Sequence, residues 1–138
     1  MREHLREIAR YLSTLGVTLY EVGGSVRDRL LGVPIHDYDL VMKLGRESTV
    51  VAKHLERFGT VNEVGKQFGI IKLRPHRFPD QEWDFAFPRR ETSTGPGHKD
   101  FRIVPDPTAP IEADLARRDF TINAIACKIL NPDIYIDP

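Results

Sequence analysis

Asp37 and Asp39 stand one residue apart, and a short way upstream lie two glycines, Gly23-Gly24, followed by Ser25 and Arg27. Carboxylates at i and i+2 of a strand project to one side. Two such charges repel unless a cation is shared between them. Magnesium suits that role, because it takes hard oxygen ligands and is held by one or two carboxylates together with substrate phosphates. A glycine turn between a strand and a helix aims backbone N–H groups at an anion. The Ser25 hydroxyl and the Arg27 fork add donors suited to phosphate oxygens. The stretch Gly23–Leu40, GGSVRDRLLGVPIHDYDL, therefore carries parts to hold a triphosphate at one end and its Mg2+ at the other. That is the equipment of nucleotidyl transfer, without the lysine of a P-loop.

Two further stretches extend the set. Two-metal sites need an additional carboxylate, and EWDFAF offers Glu82 and Asp84 on one side of a strand. Trp83, Phe85 and Phe87 alternate with them and are expected in the core. If that strand lies beside Tyr38–Leu44, Asp84 is the acid expected to join Asp37 and Asp39. In DLARRDFTINAIA, Arg117 and Arg118 precede Asp119, which can cap a helix. Adjacent arginines beside such a cap fit a triphosphate or a ribose, while Ile122, Ile125, Ala126 and Ile129 are expected to face the core.

The elements that must position these residues follow from periodicity. Leu5, Ile8, Ala9 and Leu12 recur at helical spacing over Arg2–Leu15, and Gly16 ends that helix. Val17–Val22 reads as a strand, Ser25–Gly32 as a short helix capped by Ser25, Tyr38–Leu44 as a strand and Ser48–Phe58 as a helix. Strands are expected near Val61–Val64, Gly69–Arg74 and Glu82–Phe87. Pro88–Pro110, rich in Pro, Gly, Ser and Thr, reads as a long mobile loop. Its Arg89, Arg90, His98, Lys99 and Arg102 suggest a flap that brings cations to phosphates. Asp114–Leu130 reads as a helix and Ile134–Asp137 as a last strand. The pattern predicts an α+β domain with a mixed sheet and helices packed on it.

The bulk properties agree with one globular domain. The chain has 138 residues, 41% hydrophobic and 29% charged, with 20 basic and 20 acidic side chains. A neutral balance argues against a protein whose whole surface grips nucleic acid, though a local basic patch is compatible with it. Cys127 is the sole cysteine, so no internal disulfide forms, and the five histidines do not cluster at zinc spacing. No signal-like or membrane-spanning run is seen in this sequence, and a cytoplasmic protein is the expectation.

With these motifs in view, EVGGSVRDRLLGVPIHDYDLVM and DLARRDFTINAIA together resemble the tRNA nucleotidyltransferase and bacterial poly(A) polymerase family, from about Tyr20 to the C-terminus. The resemblance implies a polymerase-β-like nucleotidyltransferase head domain over residues 1–138, with neck, body and tail regions outside the chain. It implies Mg2+ on Asp37 and Asp39, with Asp84 a further catalytic acid. Gly23, Gly24, Ser25, Arg27 and Asp28 of the GGSVRD motif, together with Arg117, Arg118, Asp119 and Asn123, would bind the nucleotide. The expected partners are ATP or CTP and an RNA, the tRNA 3′ end, held mainly by regions outside the chain. The expected reaction is CCA, or partial CC or A, addition. A poly(A) polymerase head and a catalytically silent nucleotide-binding module are the alternatives, and the isolated chain is expected not to extend RNA.

Overall fold

A computed structural model describes residues 2–32, 38–45, 50–62, 69–93, 101–116 and 126–136. Helix α1 spans Arg2–Thr14 and strand β1 Val17–Val22; α2 is Gly24–Leu30 and β2 Asp39–Leu44. Then come α3 (Val51–Leu55), β3 (Gly59–Asn62), β4 (Ile70–Pro75) and β5 (Trp83–Ala86). The chain continues through β6 (Arg89–Ser93), β7 (Phe101–Pro105), α4 (Ile111–Ala116), β8 (Ala126–Lys128) and β9 (Asn131–Ile136).

Seven strands form one sheet in the order β3-β4-β5-β2-β1-β8-β9, and β6 pairs with β7 in a second, two-stranded sheet. Strands β2 and β5 run parallel, while β1 pairs antiparallel with both β2 and β8. The sheet is therefore mixed, as the hairpin-length connections predict.

Alternation along the strands sends side chains to two faces. Leu40, Met42 and Leu44 of β2 join Val17, Leu19, Trp83 and Phe85 in one cluster, closed by Leu5, Ile8, Ala9 and Leu12 of α1. Those four α1 residues lie at the spacing that puts a single stripe on the sheet, and burying each large one contributes about 1.5–3 kcal/mol. Val41 goes the other way, to a smaller cluster with Tyr20, Val22, Ala126 and Ile111 and Leu115 of α4.

A charged group lies under the α1 side. Glu21 is fully buried, and its Oε1 accepts from Arg2 Nη1 at 3.0 Å and from Arg29 Nη1 at 2.6 Å. Arg29 Nη2 also lies 3.0 Å from the Cys127 thiol. This group ties α1, β1, α2 and β8 together. Burial is the main cause that pushes the Cys127 thiol above its ordinary range, against the nearby Arg29 guanidinium.

Three sequence expectations are corrected here. Pro88–Pro110 is not a structureless loop: Arg89–Ser93 and Phe101–Pro105 pair antiparallel in register from Arg89↔Pro105 to Ser93↔Phe101. Gly95, Pro96 and Gly97 fall in residues 94–100, outside the described residues, and the other prolines of the segment stand at or beyond the strand ends, whereas the strands carry β-favouring Thr, Phe, Ile and Val. Of the cations expected on a flap, His98 and Lys99 also fall outside. Asp114–Leu130 is not one helix either. Helix α4 starts earlier, at Ile111, and Ala126–Lys128 is a strand inserted between β1 and β9. Tertiary pairing overrides the helical spacing of Ala126 and Ile129 there. The last strand starts at Asn131 rather than Ile134.

Candidate active site

Strand β1 delivers the chain to Gly23, whose backbone sits at φ 68°, ψ −132°. A side chain at that conformation is strained, so glycine makes the turn. Gly23 is the residue that precedes the first turn of α2, with its carbonyl accepting from the Arg27 N–H at 3.2 Å. The expectation that Ser25 caps this helix is thereby corrected: the glycine turn starts the helix at Gly24, which leaves Ser25 inside the first turn. Ser25 is 4% exposed, and its hydroxyl has no hydrogen-bond partner among the described residues. Arg27 Nε donates to Asp28 Oδ1 at 3.1 Å, a partly exposed pair of neighbours that contributes little to stability.

Asp39 opens β2, and its register partner on the parallel neighbour β5 is Asp84. The next pair in register, Leu40 and Phe85, is buried in the α1-side core. Asp39 and Asp84 therefore emerge together on the opposite face. They line a pocket of about 200 Å³ whose other walls include Val22, Val41, Ala86, Arg89 and Asp114. Trp83 and Phe85 are fully buried, as their alternation with the acids predicts. Asp37, Arg117, Arg118, Asp119 and Asn123 lie outside the described residues.

Two participants were not singled out by the sequence. Asp114 of α4 is 1% exposed, and its Oδ1 accepts from the Arg89 N–H at 2.9 Å, fastening α4 to the start of β6. Its signal was its place on the buried stripe with Ile111 and Leu115. Lys72 of β4 is the register partner of Asp84 on its other side. Its ammonium lies 3.1 Å from Asp84 Oδ1 and 3.3 Å from Glu82 Oε1. The Asp84 hydrogen bond and charge, with a smaller part from Glu82, hold the lysine above its ordinary range against desolvation. Its alternation with Ile71 and Leu73 was the available signal.

Among the described residues no three His, Cys, Asp or Glu side chains converge as a metal-binding group. Asp39 and Asp84 nonetheless line one pocket, and no Cys or His is among the described residues that line it. That donor set fits a hard divalent cation such as Mg2+ and not a soft one.

Solved structures share this architecture. One described as a CCA-adding enzyme in its apo form II superposes with a TM-score of 0.77 at 30% identity, over 99% of this chain and 31% of that one. A tRNA nucleotidyltransferase complexed with a primer tRNA and an incoming ATP analog matches at 0.68 and 32% identity, over 95% of this chain and 34% of its own. The mixed sheet with paired acids on β2 and β5 is thus the polymerase-β-like nucleotidyltransferase fold. Residues 19–138 match the family described as the poly A polymerase head domain, and the chain belongs to that family. The multifunctional CCA protein of Methylobacillus flagellatus is 42% identical over 108 residues, 78% of this chain and 24% of the relative. The chain spans about a quarter of the length of the curated relatives it matches. Among the described residues no helix is long and apolar enough to cross a membrane.

Proposed function

We propose that this chain is the head domain of a magnesium-dependent RNA nucleotidyltransferase that transfers NMP from ATP or CTP to a tRNA 3′-hydroxyl, completing the CCA end or its CC or A part. The observation that carries the reading is the Asp39–Asp84 pair, in register on adjacent parallel strands beside the Gly23 turn. Asp39 and Asp84, with Asp37, would hold the cation. When bound there, Mg2+ neutralises phosphate charge and favours the deprotonated 3′-hydroxyl.

The chain's own residues do the positioning. The Gly23 turn keeps Cβ atoms out of the way, so a triphosphate can approach the backbone of Gly23 and Gly24. The buried, unsatisfied Ser25 hydroxyl would gain a phosphate oxygen, since leaving it unpaired costs free energy. Arg27 offers its fork to the same phosphates, with Asp28 orienting it through the 3.1 Å hydrogen bond. Arg117, Arg118, Asp119 and Asn123 are assigned to triphosphate and ribose. The Asp114 contact to the Arg89 N–H fixes the pocket wall. A buried free thiol at Cys127 suits the reducing cytoplasm, where this activity is placed.

Transfer is tested by joining the head to the regions that hold RNA and supplying labelled ATP or CTP with tRNA lacking its 3′ end. Sequencing the products distinguishes CCA from CC, A or poly(A) addition. Nucleotide binding without extension would leave a silent nucleotide-binding module instead. The 138-residue chain alone should bind the four NTPs with Mg2+ to similar extents, because Gly23–Arg27 and the carboxylates contact phosphates and metal rather than a base. A calorimetric preference above about tenfold, roughly 1.4 kcal/mol, would place base selection inside the head.

A further inference from the structure

The register across β3, β4, β5 and β2 puts Asn62, Lys72, Asp84 and Asp39 in one transverse row. Ile71 and Leu73 are buried in the core, so Lys72 between them projects to the face of the two aspartates. Its ammonium bridges Asp84 Oδ1 on β5 and Oε1 of Glu82, the residue just before that strand. Lys72 is 36% exposed and Asp84 38%, so water reaches both partners and the contact can be exchanged. Glu82 would not be stranded by that exchange, because Arg74 Nη2 stands 3.8 Å from its Oε2.

Resting on the reading of Asp39 and Asp84 as cation ligands, we propose that Lys72 is the resident counter-cation of Asp84 and competes with the divalent ion for that carboxylate. Without metal, the lysine offsets the repulsion between Asp84 and Asp39. With metal, two cations on one carboxylate repel, so the ammonium yields Asp84 and keeps Glu82. The consequence is a loading threshold. A bare divalent ion binds weakly, and the site fills when nucleotide phosphates bring their own oxygens to the cation.

The test titrates Mn2+ alone into the 138-residue chain, reading free Mn2+ by electron paramagnetic resonance and heat by calorimetry. The proteins are wild type, Lys72→Met, Asp84→Asn and the double variant, with circular dichroism melts to verify folding. Lys72→Met should tighten Mn2+ binding about tenfold, as expected for removing one nearby unit charge at a partly exposed site. In the Asp84→Asn background the same substitution should change nothing. Lys72→Gln should reproduce the tightening and carries the test if the methionine variant folds poorly. Equal or weaker Mn2+ binding after removal of the lysine overturns the proposal, as does a tightening that persists without Asp84. If Asp84→Asn weakens binding while Lys72→Met does not tighten it, only the competition fails. If Asp84→Asn leaves Mn2+ affinity unchanged, Asp84 is not a ligand and both readings fall.

Discussion

The two faces of strand β2 are built from consecutive residues yet do opposite things. Leu40, Met42 and Leu44 enter a core sealed by α1, whereas Asp39 opens onto a pocket beside Asp84. The same division runs along β5, where Trp83 and Phe85 are fully buried and Asp84 is partly exposed. One face thus supplies the rigidity that holds two carboxylates at fixed register on the other. Water and the Lys72 ammonium both reach Asp84, while the adjacent aromatic and aliphatic side chains keep the strands from moving apart.

Substitutions on the two faces should therefore separate stability from chemistry. Trp83→Ala removes a large, fully buried side chain and should destabilise the fold by about 3–5 kcal/mol in urea or guanidinium unfolding. A loss below about 1 kcal/mol would mean that the α1 side is not the stabilising face. Asp39→Asn should do the reverse. Stability should change by no more than about 0.5 kcal/mol, but nucleotide transfer in the RNA-holding protein should fall at least about a hundredfold, equivalent to about 2.7 kcal/mol. Near-normal turnover would break the division of labour.

Gly23→Ala tests the joint between the faces, since it forces a Cβ onto a backbone at φ 68°. It should cost about 2 kcal/mol and weaken NTP binding as well, a combined effect expected of no substitution on one face alone. Unchanged stability would show that the turn accepts a side chain.

The smallest effect concerns Cys127, beneath the α1 side. Its thiol is held above the ordinary range, so the folded state binds that proton more tightly than the unfolded one. The resulting stability is complete below the unfolded thiol pKa, about 8.5, and is lost as pH rises through the folded value. Unfolding free energy measured from about pH 8 to 10.5 should thus decline, and Cys127→Ala should make that decline shallower. An identical slope in the variant would show that the thiol does not contribute. Tyr20, also raised, chiefly by burial, retains a decline of the same sign.

Local pattern determined a large part of this molecule. The stripe Leu5, Ile8, Ala9 and Leu12 marked α1, and the β-rich run Val17–Val22 marked β1, because each is decided by side-chain periodicity over a few residues. The acids on β5 were legible for the same reason: Trp83 and Phe85 demand one face, and Asp84 takes the other. What the sequence left conditional was whether β5 lies beside β2. That adjacency aligns Asp39 with Asp84, and it comes from long-range pairing that no local propensity encodes. The same cause turned Ala126–Lys128 into a strand between β1 and β9 against its helical spacing, and paired Arg89–Ser93 with Phe101–Pro105 where composition suggested a loop. The place of Lys72 against Asp84 and the helix start set by Gly23 rather than Ser25 were likewise decided by the folded backbone. In each case a contact between residues distant in the chain, or a single strained dihedral angle, outweighed what neighbouring residues prefer.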